Sequence, residues 1–234
     1  MREPWVSVIL PVFNGEGFVG EAIESVWAQR YEHVEVIVVD DGSTDGSAAL
    51  VAARCREHPR LRLLQLGENR GPAAARNRGL AEARSELITF LDADDLMTPD
   101  RLLFQVGYLA DHDEFDVVVG TEVLRVTPGI EPPAWVRLRR MPAPRHFQMS
   151  MMLRREILDR VGPFDESFRI SSDSEWAYRA ETAGVRTARV GRPLLIRRIH
   201  GANLTYRTGD MRRAMGRGLL KAARMRLARR NGAG

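Results

Sequence analysis

The sequence predicts an α/β protein built on a doubly wound, mainly parallel sheet. Four short apolar runs recur early in the chain: Val6–Val12, Val34–Val39, Leu61–Leu66 and Leu87–Leu91. Most of them are too continuously hydrophobic to present a polar face, as expected of strands covered on both sides. Between them lie segments with apolar residues at helical spacing, so strand and helix alternate. In addition, the second and fourth runs end in carboxylates, Asp40-Asp41 and Asp92-Ala-Asp-Asp95. Polar groups at strand ends suit the mouth of an open α/β sheet, where ligands bind.

Taken in order, the Val6–Val12 strand leads through Phe13-Asn-Gly-Glu-Gly to a helix with Val19, Ile23, Val26 and Trp27 on one face. The Val34–Val39 strand leads to Asp40-Asp-Gly-Ser-Thr-Asp45. There Gly42 permits a sharp turn, and Ser43 or Asp45 can cap the next helix, from Gly46 to His58. After the Leu61–Leu66 strand, Gly71-Pro72 starts a helix with Pro at its first position. Arg70 just before it and Arg76 in its second turn suit a diphosphate at a helix start. A helix from Pro99 to about His112 follows the acidic turn, with Leu102, Leu103, Val106 and Leu109 inward.

The acidic turn is the centre of the reading. Asp92, Asp94 and Asp95 repel one another, and each raises the others' pKa. A divalent cation relieves that repulsion, because hard cations take carboxylate oxygens and Mg²⁺ is commonly shared with substrate phosphates. The plainer alternative is a solvated turn with an Asp capping the next helix.

Beyond Val117–Val119 the periodicity stops. Residues 127–145, rich in proline and arginine, read as a mobile flap. A strand over Phe147–Leu153 and a short helix ended by Gly162-Pro163 follow. Next comes a helix opened by Ser171 or Ser172, with Asp173 and Glu175 in its first turn, and then strands over Val185–Val190 and Leu194–Ile199. From Asp210 the chain reads as a basic amphipathic helix with Met211, Met215, Leu219, Ala223 and Leu227 in one stripe. Docking on the main domain, packing in a homodimer and peripheral membrane contact through residues 211–230 are its three readings. No nucleic-acid-binding motif accompanies the charge, so no nucleic-acid partner is expected.

Composition sets the outer bounds. The 234 residues, 44% of them apolar, suffice for one large domain, or one and a half, with a proper core. The net charge of +4 is carried almost wholly by arginine, which fits an anionic ligand. The lone Cys55 excludes a disulfide framework. The first apolar run is too short for a signal peptide, and none approaches membrane-spanning length. The expectation is a cytoplasmic protein, at most peripheral at the inner membrane face.

Several of these stretches, in this order, resemble the family 2 glycosyltransferases of the GT-A fold. Ser7-Val-Ile-Leu-Pro-Val-Phe-Asn14 resembles the family's first strand and nucleotide-contacting loop, which implies roles for Pro11, Phe13 and Asn14. Val39-Asp-Asp-Gly-Ser-Thr-Asp45 is similar to its uridine-binding turn, with Asp41 meeting the base. Asn69-Arg-Gly-Pro-Ala-Ala-Ala-Arg-Asn-Arg-Gly79 resembles the third motif. Asp92-Ala-Asp-Asp95 resembles the D-x-D signature, with Asp92 and Asp94 toward the donor and Asp94 and Asp95 toward the metal. Gly162-Pro-Phe-Asp165 and the Asp173 segment resemble the acceptor half. Arg198-Ile-His-Gly-Ala-Asn-Leu-Thr205 resembles the stretch where a histidine, here His200, completes the metal site. One departure stands out: the family often has Glu-Asp where Ser172-Asp173 stand here, which bears on acceptor positioning more than on the chemistry.

The resemblance implies a catalytic domain over 1–205, with a nucleotide-binding half (1–112) and an acceptor half (113–205) carrying a smaller acceptor-side sheet; 206–234 is the basic helix. It implies inverting transfer, by single displacement, from a nucleotide-sugar, commonly a UDP-sugar. Mn²⁺ or Mg²⁺ is the expected cofactor and Asp173 the general base. The acceptor is a glycan, a natural product, a peptide side chain or a lipid-linked intermediate, presenting a hydroxyl or a thiol. Two other classes compete. Gly15, Gly17 and Gly20 spell G-x-G-x-x-G after a strand, with an acidic residue about twenty positions on, as in NAD-binding oxidoreductases. A catalytically silent, nucleotide-binding relative is the other.

Overall fold

The protein is described from a computed structural model covering residues 3–132, 136, 150–168 and 172–203. The elements in chain order are β1 (Val6–Val12), α1 (Val19–Trp27), β2 (Val34–Asp40), α2 (Ser47–Glu57), β3 (Leu61–Gln65), α3 (Pro72–Glu82), β4 (Leu87–Phe90) and β5 (Leu96–Met97). They continue with α4 (Arg101–Asp111), β6 (Val117–Val126), β7 (Met152–Arg154), α5 (Ile157–Val161), α6 (Ser172–Thr182) and β8 (Thr187–Ile199). One eight-stranded sheet runs β3-β2-β1-β4-β7-β6-β8-β5. The first four strands in that order are parallel, with Val6 opposite Val34 on one side and Leu87 on the other. β7 is antiparallel to both neighbours, and β6 and β8 are again parallel.

Alternation along the strands makes the sheet two-faced. Val8 and Leu10 of β1 join Val36 and Val38 in a core closed by Val19, Ile23 and Val26 of α1 and Leu102, Val106 and Leu109 of α4. Ile9, Ile37, Val39, Ile88 and Phe90 point the other way, into a core closed by α3, Ile157 and Val161 of α5 and Trp176 of α6. Side chains of period two therefore serve two layers at once. Each fully buried aliphatic side chain contributes roughly 1.5–3 kcal/mol.

α3 lies tight against the sheet. Ala73 and Ala75 pack inward, and a Cβ on Gly79 would stand 2.5 Å from Ile9 Cγ2. Small residues thus let the helix backbone approach β1, which carries Arg76 and Asn77 to the strand ends.

Four expectations change. The strands of the second half continue the main sheet instead of forming a separate smaller one, because β7 pairs directly with β4. The two strands read over Val185–Val190 and Leu194–Ile199 are one, β8; β6 follows it through two register shifts, between Val119 and Thr121 and between Thr121 and Glu122. α4 begins at Arg101 instead of Pro99, after Asp100 in a left-handed conformation (φ 59°), and Leu103 is 43% exposed. The inward face of α4 instead includes the polar Arg101 and Gln105. Of the strand expected over Phe147–Leu153, β7 begins at Met152; positions 147–149 lie outside the described residues, as do Ser171, most of the 127–145 flap and the basic helix over 206–234. Among the described residues no helix is long and apolar enough to cross a membrane.

Gly79→Ala tests the tight α3 contact. The added methyl must displace Ile9 or the helix, and overpacking of this kind costs about 1–3 kcal/mol. The expected result is a lower urea midpoint at unchanged slope; an unchanged midpoint would show that α3 can move away without loss.

Candidate active site

The loops after β1, β2, β4 and β8 converge at one edge of the sheet. Asn14, at positive φ (49°), joins the first two. Its backbone N–H donates to Ser43 Oγ (2.9 Å), and its Oδ1 accepts the Thr44 backbone N–H (2.8 Å). Asn tolerates this conformation better than most residues. The N-cap of α2 is Gly46, not Ser43 or Asp45; Asp45, one residue earlier, accepts the N–H of Ser47 at the start of the helix (2.9 Å). Pro11 lies buried in β1 opposite Val39, and Phe13 stands 48% exposed beside this junction. Buried Asp41 accepts the backbone N–H groups of Arg70 (2.7 Å) and Gly71 (2.8 Å), which fixes the entry to α3.

The acidic turn is held from two sides. Arg76, almost fully buried on α3, pairs with Asp92 at 2.8 Å. From the other side, Asp94 accepts hydrogen bonds from His200 Nε2 (3.2 Å) and Asn203 Nδ2 (2.9 Å). Asp95 is buried and accepts the Arg198 backbone N–H (3.0 Å). The Arg198 guanidinium donates to the backbone oxygens of Asp94 (2.5 Å) and Phe18 (3.1 Å) and pairs with Glu21 (2.7 Å). It also lies 5.1 Å from the Phe18 ring, which stacks on His200 at 4.2 Å. Arg198 and His200 sit two residues apart at the end of β8, so they reach the same side.

The electrostatics follow from burial and crowding. Burial pushes all three carboxyls up. For Asp94, hydrogen bonds from His200 and Asn203 outweigh burial and hold it below the usual range. For Asp92, the neighbouring Arg76 opposes burial without cancelling it, and the group stays raised. Asp95 is raised well above its ordinary value by burial and by the charges of Asp94 and Asp92. Beneath the turn lies Arg101, fully buried and donating to Thr89 Oγ1 (2.8 Å) and the Phe90 carbonyl (3.3 Å). Burial lowers its pKa to about 9 against the opposing pull of Asp95, so it is still a cation at neutral pH.

Asp92, Asp94 and Asp95 each offer an oxygen within 4.8 Å of the others. Hard carboxylate oxygens grouped in this way are the donor set that Mg²⁺ or Mn²⁺ accepts. His200 lies outside that trio. Its Nδ1 accepts the Ala202 N–H (3.3 Å), so the ring proton resides on Nε2 and points at Asp94. Ligation through Nε2 requires that proton to leave.

Most of the expected residues therefore share one edge. Arg70 pairs with Glu166 of the second half (3.0 Å). Asp173 lies in the first turn of α6, partly exposed, and makes no hydrogen bond or ion pair with the carboxylates. The glycine fingerprint does not operate as a dinucleotide motif. None of Gly15, Gly17 and Gly20 has positive φ, nothing approaches Gly17, and the Gly15 N–H is taken by Ser47 Oγ (2.9 Å). Sequence reasoning missed Phe18, Arg101 and the specific parts played by Arg198 and Asn203. Position in the His200 stretch was the one available signal for the last two.

Known proteins resemble this chain in sequence and in fold. The model of Glycosyl transferase family 2 matches residues 7–171. An uncharacterized glycosyltransferase of Haemophilus influenzae is 40% identical over 109 residues, 47% of this chain and 44% of that protein. The succinoglycan biosynthesis protein ExoO of Rhizobium meliloti is 46% identical over 101 residues, 43% of this chain and 28% of its own length. The chain thus spans less than half of these curated relatives. The mannosyltransferase PcManGT of Pyrobaculum calidifontis, solved with GDP-Man and Mn²⁺, superposes with a TM-score of 0.74 at 25% identity, over 96% of this chain and 65% of that one. S. aureus TarS in complex with UDP gives 0.68 at 23% identity, over 83% and 60%.

Asp95 carries a pH prediction. Its folded pKa is raised, so its stabilising contribution is present below the ordinary carboxylate value of about 3.9 and is lost as pH rises through the folded value. Asp95→Asn keeps an oxygen for the Arg198 N–H and removes the charge. Without metal at pH 8 the variant is expected to melt a few degrees above wild type. Mn²⁺ is expected to raise the melting temperature of wild type and not of the variant. Equal Mn²⁺ shifts would take Asp95 out of the ligand set.

Proposed function

The chain belongs to glycosyl transferase family 2, and from that premise we propose that it transfers a sugar, with inversion, from a nucleotide-sugar to an acceptor hydroxyl or thiol. The observation that carries the reading is the convergence of Asp92, Asp94 and Asp95 at the end of β4, with oxygens within 4.8 Å of one another. Asp94 and Asp95 would hold Mn²⁺ or Mg²⁺, joined by His200 once its ring proton has moved. A cation bound there supplies positive charge for the donor diphosphate and the departing nucleotide.

The rest is the work of the chain's own groups. Pro11, Phe13, Asn14 and Asp41 bind the nucleoside, with the exposed Phe13 ring at the entrance. Arg70 and Arg76 face the phosphates. Arg76 also holds Asp92, which in turn receives the donor. Asp173 takes the proton from the acceptor as that atom attacks the anomeric carbon, and the sugar–phosphate bond breaks on the opposite side. Its place in the first turn of α6 and its partial exposure support this role. The expected partners are a nucleotide-sugar, UDP-sugar first and GDP-sugar second, and an acceptor glycan, natural product, peptide side chain or lipid-linked intermediate.

Calorimetric titration with UDP, GDP, dTDP and NAD, each with and without Mn²⁺, tests the reading. Metal-dependent binding of a nucleoside diphosphate is the expected outcome. Metal-independent NAD binding would overturn it, and binding of nucleotide without any donor turnover would leave a silent relative. Asp173→Asn is expected to fold and bind the nucleotide as wild type does, with transfer reduced about 10²–10⁴-fold. Near-normal transfer at saturating donor would remove Asp173 from the role.

A further inference from the structure

Two neighbouring residues on α3 point to different halves of the molecule. Arg76 holds the acidic turn through Asp92. Asn77 holds the loop between α5 and α6, which lies 87 residues away in sequence. Its Nδ2 donates to the Phe164 carbonyl (2.9 Å) and to Glu166 Oε1 (3.0 Å), and its Oδ1 accepts the Phe164 N–H (2.8 Å). The other Glu166 oxygen accepts from Arg70 (3.0 Å). One amide thus clasps a loop residue's backbone from both sides, a pairing that fixes position and orientation together.

The clasped loop in turn determines where α6 lies. Phe164 is buried, and its ring packs 5.5 Å from Trp176 and 5.7 Å, edge-on, from Phe90 at the end of β4. Trp176, fully buried on α6, donates its indole N–H to the Gly162 carbonyl (2.9 Å). Arg179 donates to the Pro163 (2.7 Å) and Val161 carbonyls. Gly162 turns the chain at φ 78°, a conformation glycine adopts without strain. Asp173 lies one helical turn before Trp176.

We propose that Asn77 is a positioning residue for transfer: by clasping Phe164 and Glu166 it fixes the α6 helix, and with it Asp173, against the donor-side carboxylates. The proposal rests on the glycosyltransferase reading for its catalytic consequence, while its structural content stands apart from it. A mispositioned base slows the chemical step and leaves donor binding alone, because reacting groups must be held close and aligned.

The test compares full-length wild type with Asn77→Ala in three assays. These are UDP and GDP binding with Mn²⁺, backbone hydrogen exchange, and turnover of UDP-GlcNAc and GDP-mannose. In the variant, exchange within residues 162–182 is expected to rise at least tenfold, while β1 and β2 keep wild-type protection. Nucleotide affinity stays within twofold, and kcat falls at least tenfold at unchanged donor KM. Unchanged exchange in 162–182, or a parallel loss of nucleotide affinity, overturns the proposal. If Asn77→Ala does not fold, Glu166→Ala decides, since that side chain is 41% exposed. It is expected to raise exchange in the same segment, about threefold, and its silence there counts against the clasp. A wild type that binds neither nucleotide sinks the glycosyltransferase reading, and the exchange comparison still decides whether Asn77 fixes α6.

Discussion

Repulsion among Asp92, Asp94 and Asp95 is the constraint that the rest of the site answers. Three carboxylates on one tight turn, one of them buried, cannot share a small volume without countercharge and hydrogen-bond donors. The chain supplies these from sequence-distant elements: Arg76 from α3, Arg198 and His200 from the end of β8, Asn203 just beyond, and Arg101 from beneath. The compensation is partial. Asp92 and Asp95 are still raised, which leaves a demand for positive charge at the turn.

Arg101 shows how far this compensation reaches into the core. A guanidinium with no exposed surface is costly unless hydrogen-bonded. Thr89, Phe90 and Gln105 meet part of that need, but its Nη1 has no partner among the described residues. The charge of Asp95 acts on it, opposing the effect of burial, so a residue facing the core is tied to the acidic turn.

α3 joins the two halves for a simple steric reason. Ala73, Ala75 and Gly79 leave no bulk between the helix and the sheet, so its second turn reaches the strand ends and exposes Arg76 and Asn77 to opposite partners. The second half needs this bridge. α5 and α6 pack on the same face of the sheet as α3, and the loop joining them is pinned through Phe164, Glu166 and Trp176.

Alone, the sequence determined the alternation of strand and helix, because continuous apolar runs and helical spacing are local signals. It also determined which strand ends carry carboxylates, which is why Asp41, Asp92, Asp94 and Asp95 could be named from the chain. It was ambiguous where a signal had two structural meanings. Gly15, Gly17 and Gly20 match a dinucleotide pattern by spacing, yet none has positive φ, and only Gly15 is crowded, by Val12 at 3.0 Å from where a Cβ would stand. Only tertiary structure decided the partners. That Arg198 meets Asp94 and Phe18, and Asn77 meets Phe164, depends on the order in which β7, β6 and β8 extend the sheet beyond β4. That order brings together residues up to 180 positions apart, and hydrophobic periodicity says which face of a strand is buried but not which distant strand it will meet.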